Sequence, residues 1–189
     1  MTLIRTVAPT VEPVTLAEVK AHLRLDHASE DDLLNGLIRA AREEVERATG
    51  LALIDQNWRL VLDAWPANGS VAVAIHPVRS IISVTAYGTE GEASLVDPAT
   101  YQADTISRPA RVHFNGPPKA LRAMNGIEID FSAGFGEAGT DVPDLLRRAI
   151  MLLAAHWYEF RTSFGPNDQP VGYPTDYERL IAGYLMRRL

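Results

Sequence analysis

The sequence predicts an α+β protein: mainly an α-helical bundle of four helices, with a small antiparallel β unit inserted into it. Three observations predict this class. Helical periodicity runs from Thr15 to Gly50 and returns from Asp141 to the end of the chain. Between the two stretches the spacing of apolar residues falls from about 3.6 to about 2. Within that middle stretch, His76-Pro77 and Gly88-Thr-Glu-Gly91 punctuate the chain as turns do. The expected organisation is one domain over 1–189. It has a helical part from 1–54 and 136–189, a β insertion of about 55–135 and a distinctive C-terminal segment, 162–189.

Thr15 to Leu25 reads as a short helix. Thr15 followed by Glu18 is a capping box, in which each residue's side chain satisfies a free backbone N–H of the other, and Leu16, Val19 and Leu23 supply the apolar stripe. Ser29 with Asp32 repeats the signal. Glu30, Asp31 and Asp32 sit where the helix dipole favours negative charge. Leu33, Leu34, Leu37, Ile38, Ala41, Val45 and Ala48 then mark a long amphipathic helix, which Gly50 is placed to end in the left-handed conformation.

The β unit follows. Trp58, Leu60, Leu62 and Ala64 share one face of a strand, and Val71–Ile75 and Ile81–Tyr87 are rich in β-branched residues. Gly88 to Gly91 reads as a hairpin connection. Tyr101–Ala103 and Arg111–Phe114 are short strands, and Ile127–Ala133 alternates apolar and polar residues.

Asp141 is placed to cap the next helix, with Pro143 in its first turn and Asp144 complementing the dipole. Leu145 to Phe160 is apolar on nearly every side, as in a helix packed on several faces. The stretch from Thr162 to Pro174 carries three prolines and two glycines and reads as a loop, long for a compact domain. Asp176 to Arg188 reads as a final amphipathic helix with Tyr177, Leu180, Ile181, Tyr184 and Leu185 on one side. Its alternatives are a helix folded on its own core and one that docks on another subunit.

Composition narrows the function. The 189 residues are 47% hydrophobic and 22% charged, ordinary for a soluble globular chain. There is no cysteine, which removes disulfides, thiolate metal sites and cysteine nucleophiles and fits assembly in a reducing cytoplasm. No stretch approaches the roughly 18 apolar residues of a membrane span, and the opening Met1–Thr15 does not read as a secretory signal. A net charge of −6, with basic residues scattered apart from Arg147–Arg148 and Arg187–Arg188, argues against a tight grip on nucleic acid.

Candidate chemistry is sparse. His22 and His27 are five apart across a helix break, unlike the i,i+4 pair of a helical metal site. With Glu30, Asp31 and Asp32 they are the only basis for the alternative of a small metal-dependent hydrolytic enzyme, and capping explains those carboxylates better. His76 precedes a proline, His113 falls on the polar side of a strand, and His156 lies in the most apolar helix. Gly134 to Gly139 lacks the Lys and Ser/Thr of a phosphate loop and reads as a strand-to-helix turn. No serine has a His and Asp partner set or a nucleophile elbow. The expectation is no enzyme, no metal and no cofactor.

Two blocks of residues carry a family resemblance. The first runs from Val14-Thr-Leu-Ala-Glu-Val-Lys-Ala-His-Leu-Arg-Leu-Asp26 through Asp31-Asp32-Leu-Leu and Leu37–Glu46 to Thr49-Gly-Leu-Ala-Leu53 and the Trp58 strand. The second is Ile129-Asp-Phe-Ser-Ala-Gly-Phe-Gly136, then Val142-Pro143 and Ala149–Arg161 with Tyr158 and Arg161. Together they resemble the head–tail connector (adaptor) proteins of long-tailed double-stranded DNA phages and gene transfer agents.

The resemblance implies a virion protein of the head–tail neck, assembled in the bacterial host cytoplasm and without catalysis. It implies a homo-oligomeric ring, commonly of about twelve copies, under the portal protein. A downstream stopper or terminator protein would lie on the tail side, and DNA would pass through the centre without specific binding. On this reading Tyr173, Tyr177, Leu180, Ile181, Tyr184, Leu185, Arg187 and Arg188 are expected to dock on the portal or a neighbouring subunit. Arg39, Arg42, Glu43 and Glu46 on the long helix are expected at the ring interface.

Overall fold

The computed structural model describes residues 1–116, 121–160 and 172–185. In chain order the described elements are β1 (Thr2–Val7), α1 (Leu16–Leu23), α2 (Asp31–Thr49), β2 (Gln56–Leu62), β3 (Ser70–Val73), β4 (Val78–Tyr87), β5 (Ala93–Leu95), β6 (Tyr101–Asp104), β7 (Ala110–Phe114), β8 (Ile127–Ala133), α3 (Asp144–Glu159) and α4 (Thr175–Ile181). The α+β class stands. The expectation of a mainly helical protein does not: eight strands in two antiparallel sheets accompany the four helices among the described residues.

The chain forms two compact units, Met1–Thr10 with Asp55–Phe135, and Val11–Ile54 with Gly136–Leu189. The first is the sheet unit. Its five-stranded sheet has the order β1-β2-β8-β4-β5, and its three-stranded sheet the order β3-β7-β6. β8 is central because its alternation is complete: Ile127, Ile129, Phe131 and Ala133 are buried, whereas Glu128, Asp130 and Ser132 face the other side. Leu60 lies opposite Ile129 on β2, and Val84 lies opposite it on β4, so one face is continuously apolar. The opposite face is polar and internally paired. Arg59 donates to Asp130 at 2.8 and 3.0 Å and reaches Glu128 at 3.0 Å, and the Tyr87 hydroxyl donates to Glu128 at 3.0 Å.

The turn after β4 forms where it was expected. Gly88 N–H donates to Glu92 at 3.0 Å and Gly91 N–H to Gly88 at 2.9 Å, joining β4 to β5 as a hairpin. β1 is the addition that sequence reading did not place. It pairs antiparallel with β2 from Thr2 opposite Val61 to Arg5 opposite Trp58, with an irregularity before Val7.

The second unit is helical. The capping box at Thr15 is present: Glu18 N–H donates to Thr15 Oγ1 at 3.2 Å, and Thr15 N–H donates to Glu18 Oε2 at 2.7 Å. Gly50 ends α2 at φ 69°, in the left-handed region, with its N–H donating to Glu46 O. Two expected caps differ. α2 begins after Glu30 without a side-chain cap; Ser29 lies one residue before the cap position, and its Oγ meets His27 Nδ1 at 2.9 Å. α3 begins after Pro143, and Asp141 instead closes a 3-10 turn by accepting from Ala138 N–H at 2.9 Å.

Leu34, Ile38, Ala41 and Val45 of α2 and Leu146, Ala149, Ile150 and Leu153 of α3 form the buried seam of this unit, with Val19 of α1 added to it. Fully burying a Leu or Ile side chain contributes about 1.5–3 kcal/mol, so this seam dominates the unit's stability. α4 packs on α3 and buries Tyr177 and Ile181 at 3% and 4% exposure.

Candidate functional site

α2 presents the residues expected at a ring interface, and the structure gives them two different occupations. Arg39 and Glu43 are exposed. Arg42 is 3% exposed and lies inside the helical unit. Its Nε donates to Glu12 at 2.7 Å, its Nη1 to Glu46 at 2.7 Å and its Nη2 to Glu43 at 3.4 Å. Burial opposes its charge, but the Glu46 and Glu12 carboxylates outweigh that and raise its pKa. Glu46 also accepts from Leu53 N–H at 2.9 Å and so ties the chain after α2 back to the helix. Arg42 and Glu46 are therefore internal clamps, and Arg39 and Glu43 are the surface residues of the four.

The C-terminal residues divide in the same way. Tyr177 and Ile181 are buried within the helical unit, and burial pushes the Tyr177 hydroxyl up to about 12. Leu180 and Tyr184 are half-buried, and Tyr173 and Leu185 are exposed. Arg187 and Arg188 lie outside the described residues, as does 161–171, most of the expected loop. α4 ends at Ile181 and passes into a 3-10 turn over Ala182–Tyr184, so the helix expected over Asp176–Arg188 is shorter within the described chain.

One anchor was not legible in the sequence. The Tyr173 hydroxyl donates to Glu44 Oε1 at 2.9 Å, and Arg47 holds the same carboxylate at 2.6 and 2.9 Å. The Arg47 hydrogen bonds keep the Glu44 carboxyl below its ordinary range. Tyr173 stacks on Tyr177 with centroids 5.3 Å apart. The segment is thus fixed on α2 through Glu44 and on α3 through Tyr177. Nothing in local sequence spacing marks a contact across 129 residues.

His27, Asp31 and Glu30 of the hydrolytic alternative have structural partners. His27 meets Ser29, Lys20 donates to Asp31 at 2.7 Å, and the Tyr158 hydroxyl donates to Glu30. His22 lies exposed on α1. His113 meets Ser70 Oγ at 2.9 Å, His156 packs on Phe160, and His76 is buried. Among the described residues no three His, Asp or Glu side chains come together to hold a metal ion. No described helix is long and apolar enough to cross a membrane.

The described chain thus has two compact units, an internally paired Arg42 and exposed residues on α2 and on the terminal segment. Residues 13–104 match the family described as phage gp6-like head-tail connector protein. No curated protein matches the chain. Among solved structures, the chain is similar to one in the neck of an empty gene transfer agent particle computed with C6 symmetry, at 29% identity and TM-score 0.83. A chain in the virion of a native gene transfer agent particle gives the same identity and score. A third, in the neck of a native particle computed with C12 symmetry, gives 27% and 0.81. Each similarity covers 100% of this chain and 97% of the other. The match over residues 13–104 and the whole-length likeness to neck chains bear out the resemblance to head–tail connectors.

Proposed function

We propose that this chain is a structural adaptor of the head–tail neck in a gene transfer agent or long-tailed phage virion. Copies close into a ring of about twelve beneath the portal, join the DNA-filled capsid to the tail and form part of the DNA channel. The observation that carries this reading is the likeness to gene transfer agent neck chains along the whole length, in particles computed with C6 and C12 symmetry. A ring requires a heterologous interface, with two different patches on each copy. Arg39 and Glu43 on the outer face of α2 supply charges of both signs for one such contact. Tyr173, Leu180, Tyr184 and Leu185, with Arg187 and Arg188 beyond them, supply the surface that meets the portal. Tyr177 and Ile181 hold that surface on the helical unit. The net charge of −6 suits a channel wall that repels phosphates and lets duplex slide.

No catalytic step is assigned. Particles assembled without this chain should accumulate as DNA-filled heads lacking tails. Normal tailed particles in its absence would overturn the proposal.

A further inference from the structure

The five-stranded sheet ends in two open edges, β1 and β5, and both are unusually bare. β1 is exposed at five of its six residues, with Ile4 at 48% and Val7 at 49%. β5 is exposed throughout, with Leu95 at 76%. Among the described residues nothing pairs with the outer side of either strand. Free edges recruit further strands, and proteins normally blunt them with Lys, Pro, bulges or a covering element. Here the guards are few: Arg5 and the irregularity before Val7 on β1, and on β5 only its length of three residues.

Resting on the ring reading above, we infer that β1 of one copy pairs with β5 of the next, so that the sheet continues from subunit to subunit around the ring. Three features favour a second copy of this chain as the occupant. First, the two edges belong to one sheet and differ from each other, which is what head-to-tail closure requires. Second, the strand directions agree. Every pairing in the sheet is antiparallel, so the first and fifth strands run the same way. Rotation about a ring axis preserves a strand's direction along that axis, so β1 meets the neighbour's β5 as a parallel pair. Two copies of β1 would instead meet about a twofold axis and stop at a dimer.

Third, the side chains match. Register places Ile4 beside Arg59, Asp130 and Ser83, and Leu95 beside Thr85 and Glu128. Ile4 and Leu95 therefore emerge on the same face, where pairing would bring two exposed apolar side chains together.

The natural chain has no cysteine, so introduced thiols report only on the chosen positions. Paired strands lie about 4.8 Å apart, within reach of a short bifunctional thiol crosslinker. Two double variants, Ile4→Cys with Leu95→Cys and Ile4→Cys with Ala93→Cys, cover two registers on that face. Each would be assembled with the portal, imaged by electron microscopy and crosslinked. The expected result is rings that yield a denaturation-resistant ladder extending well beyond dimer with at least one pair, whereas Ile4→Cys alone stays monomeric. Rings that give no ladder with either pair, or dimers from Ile4→Cys alone, overturn edge pairing and leave the neck reading intact. Failure to form rings with the unsubstituted chain removes the neck reading and this inference with it.

Discussion

Arg42 and Glu12 are joined inside the helical unit, with the guanidinium Nε donating to the carboxylate at 2.7 Å across thirty residues of chain. Glu46 completes the clamp from one helical turn away. Removing one partner from such a buried pair leaves uncompensated charge and costs about 3–5 kcal/mol. Arg42→Met should accordingly lower the urea midpoint by an amount corresponding to about 3 kcal/mol, with little change in the denaturant slope. Arg42→Met combined with Glu46→Gln should recover part of that loss. An Arg42→Met protein of unaltered stability that fails to assemble would return Arg42 to the interface.

The C-terminal segment should separate stability from attachment. Tyr177→Ala removes a buried aromatic from the packing on α3 and should cost about 3 kcal/mol or more. Leu185→Ser and Leu185→Asp change an exposed side chain, should move stability little, and should weaken portal binding in a co-sedimentation assay. If both bind normally, docking lies elsewhere. Truncation after Thr162 removes the buried Tyr177 and Ile181 as well, so it should destabilise the helical unit, a test the exposed substitutions avoid.

How far the sequence carried the fold depends on where the decisive contacts lie. α1, the end of α2 at Gly50 and the alternation of β8 were legible because capping, left-handed termination and period-2 burial are local. β1 was not. Thr2-Leu-Ile-Arg-Thr-Val7 has little burial of its own, and only its pairing with β2, more than fifty residues away, makes it a strand. The contacts of Arg42 and Tyr173 were hidden for the same reason. Glu12 lies thirty residues from Arg42 and Glu44 lies 129 residues from Tyr173, so neither pair shows in local spacing. The resemblance was legible because its first motif block, from Val14 to the Trp58 strand, is a run of local signals, and it lies inside the matched residues 13–104.

His76 gives the sheet unit a pH dependence of known sign. Burial, and secondarily the charge of Arg108, lowers its pKa in the fold, while the unfolded chain protonates near its ordinary value of about 6.5. The stabilising difference is complete above that value and is lost as pH falls through it, because the unfolded state then binds a proton that the fold excludes. Thermal unfolding followed from pH 7.5 to 5 should fall more steeply for the natural chain than for His76→Phe. Parallel curves would contradict this assignment.

The hydrolytic alternative makes a distinct prediction. His22→Gln, His27→Gln and His113→Gln alter exposed side chains and should each shift stability by less than about 0.5 kcal/mol, with neck assembly retained. Elemental analysis of the purified protein should give no stoichiometric metal. A bound metal lost with any of these substitutions would return the enzyme reading to consideration.

Ring closure on the portal can be seen by electron microscopy of the purified chain mixed with its portal. The expected images show a closed ring of about twelve copies seated on one face of the portal, with an open centre. A closed twofold dimer, with no higher assembly in the presence of the portal, would contradict it.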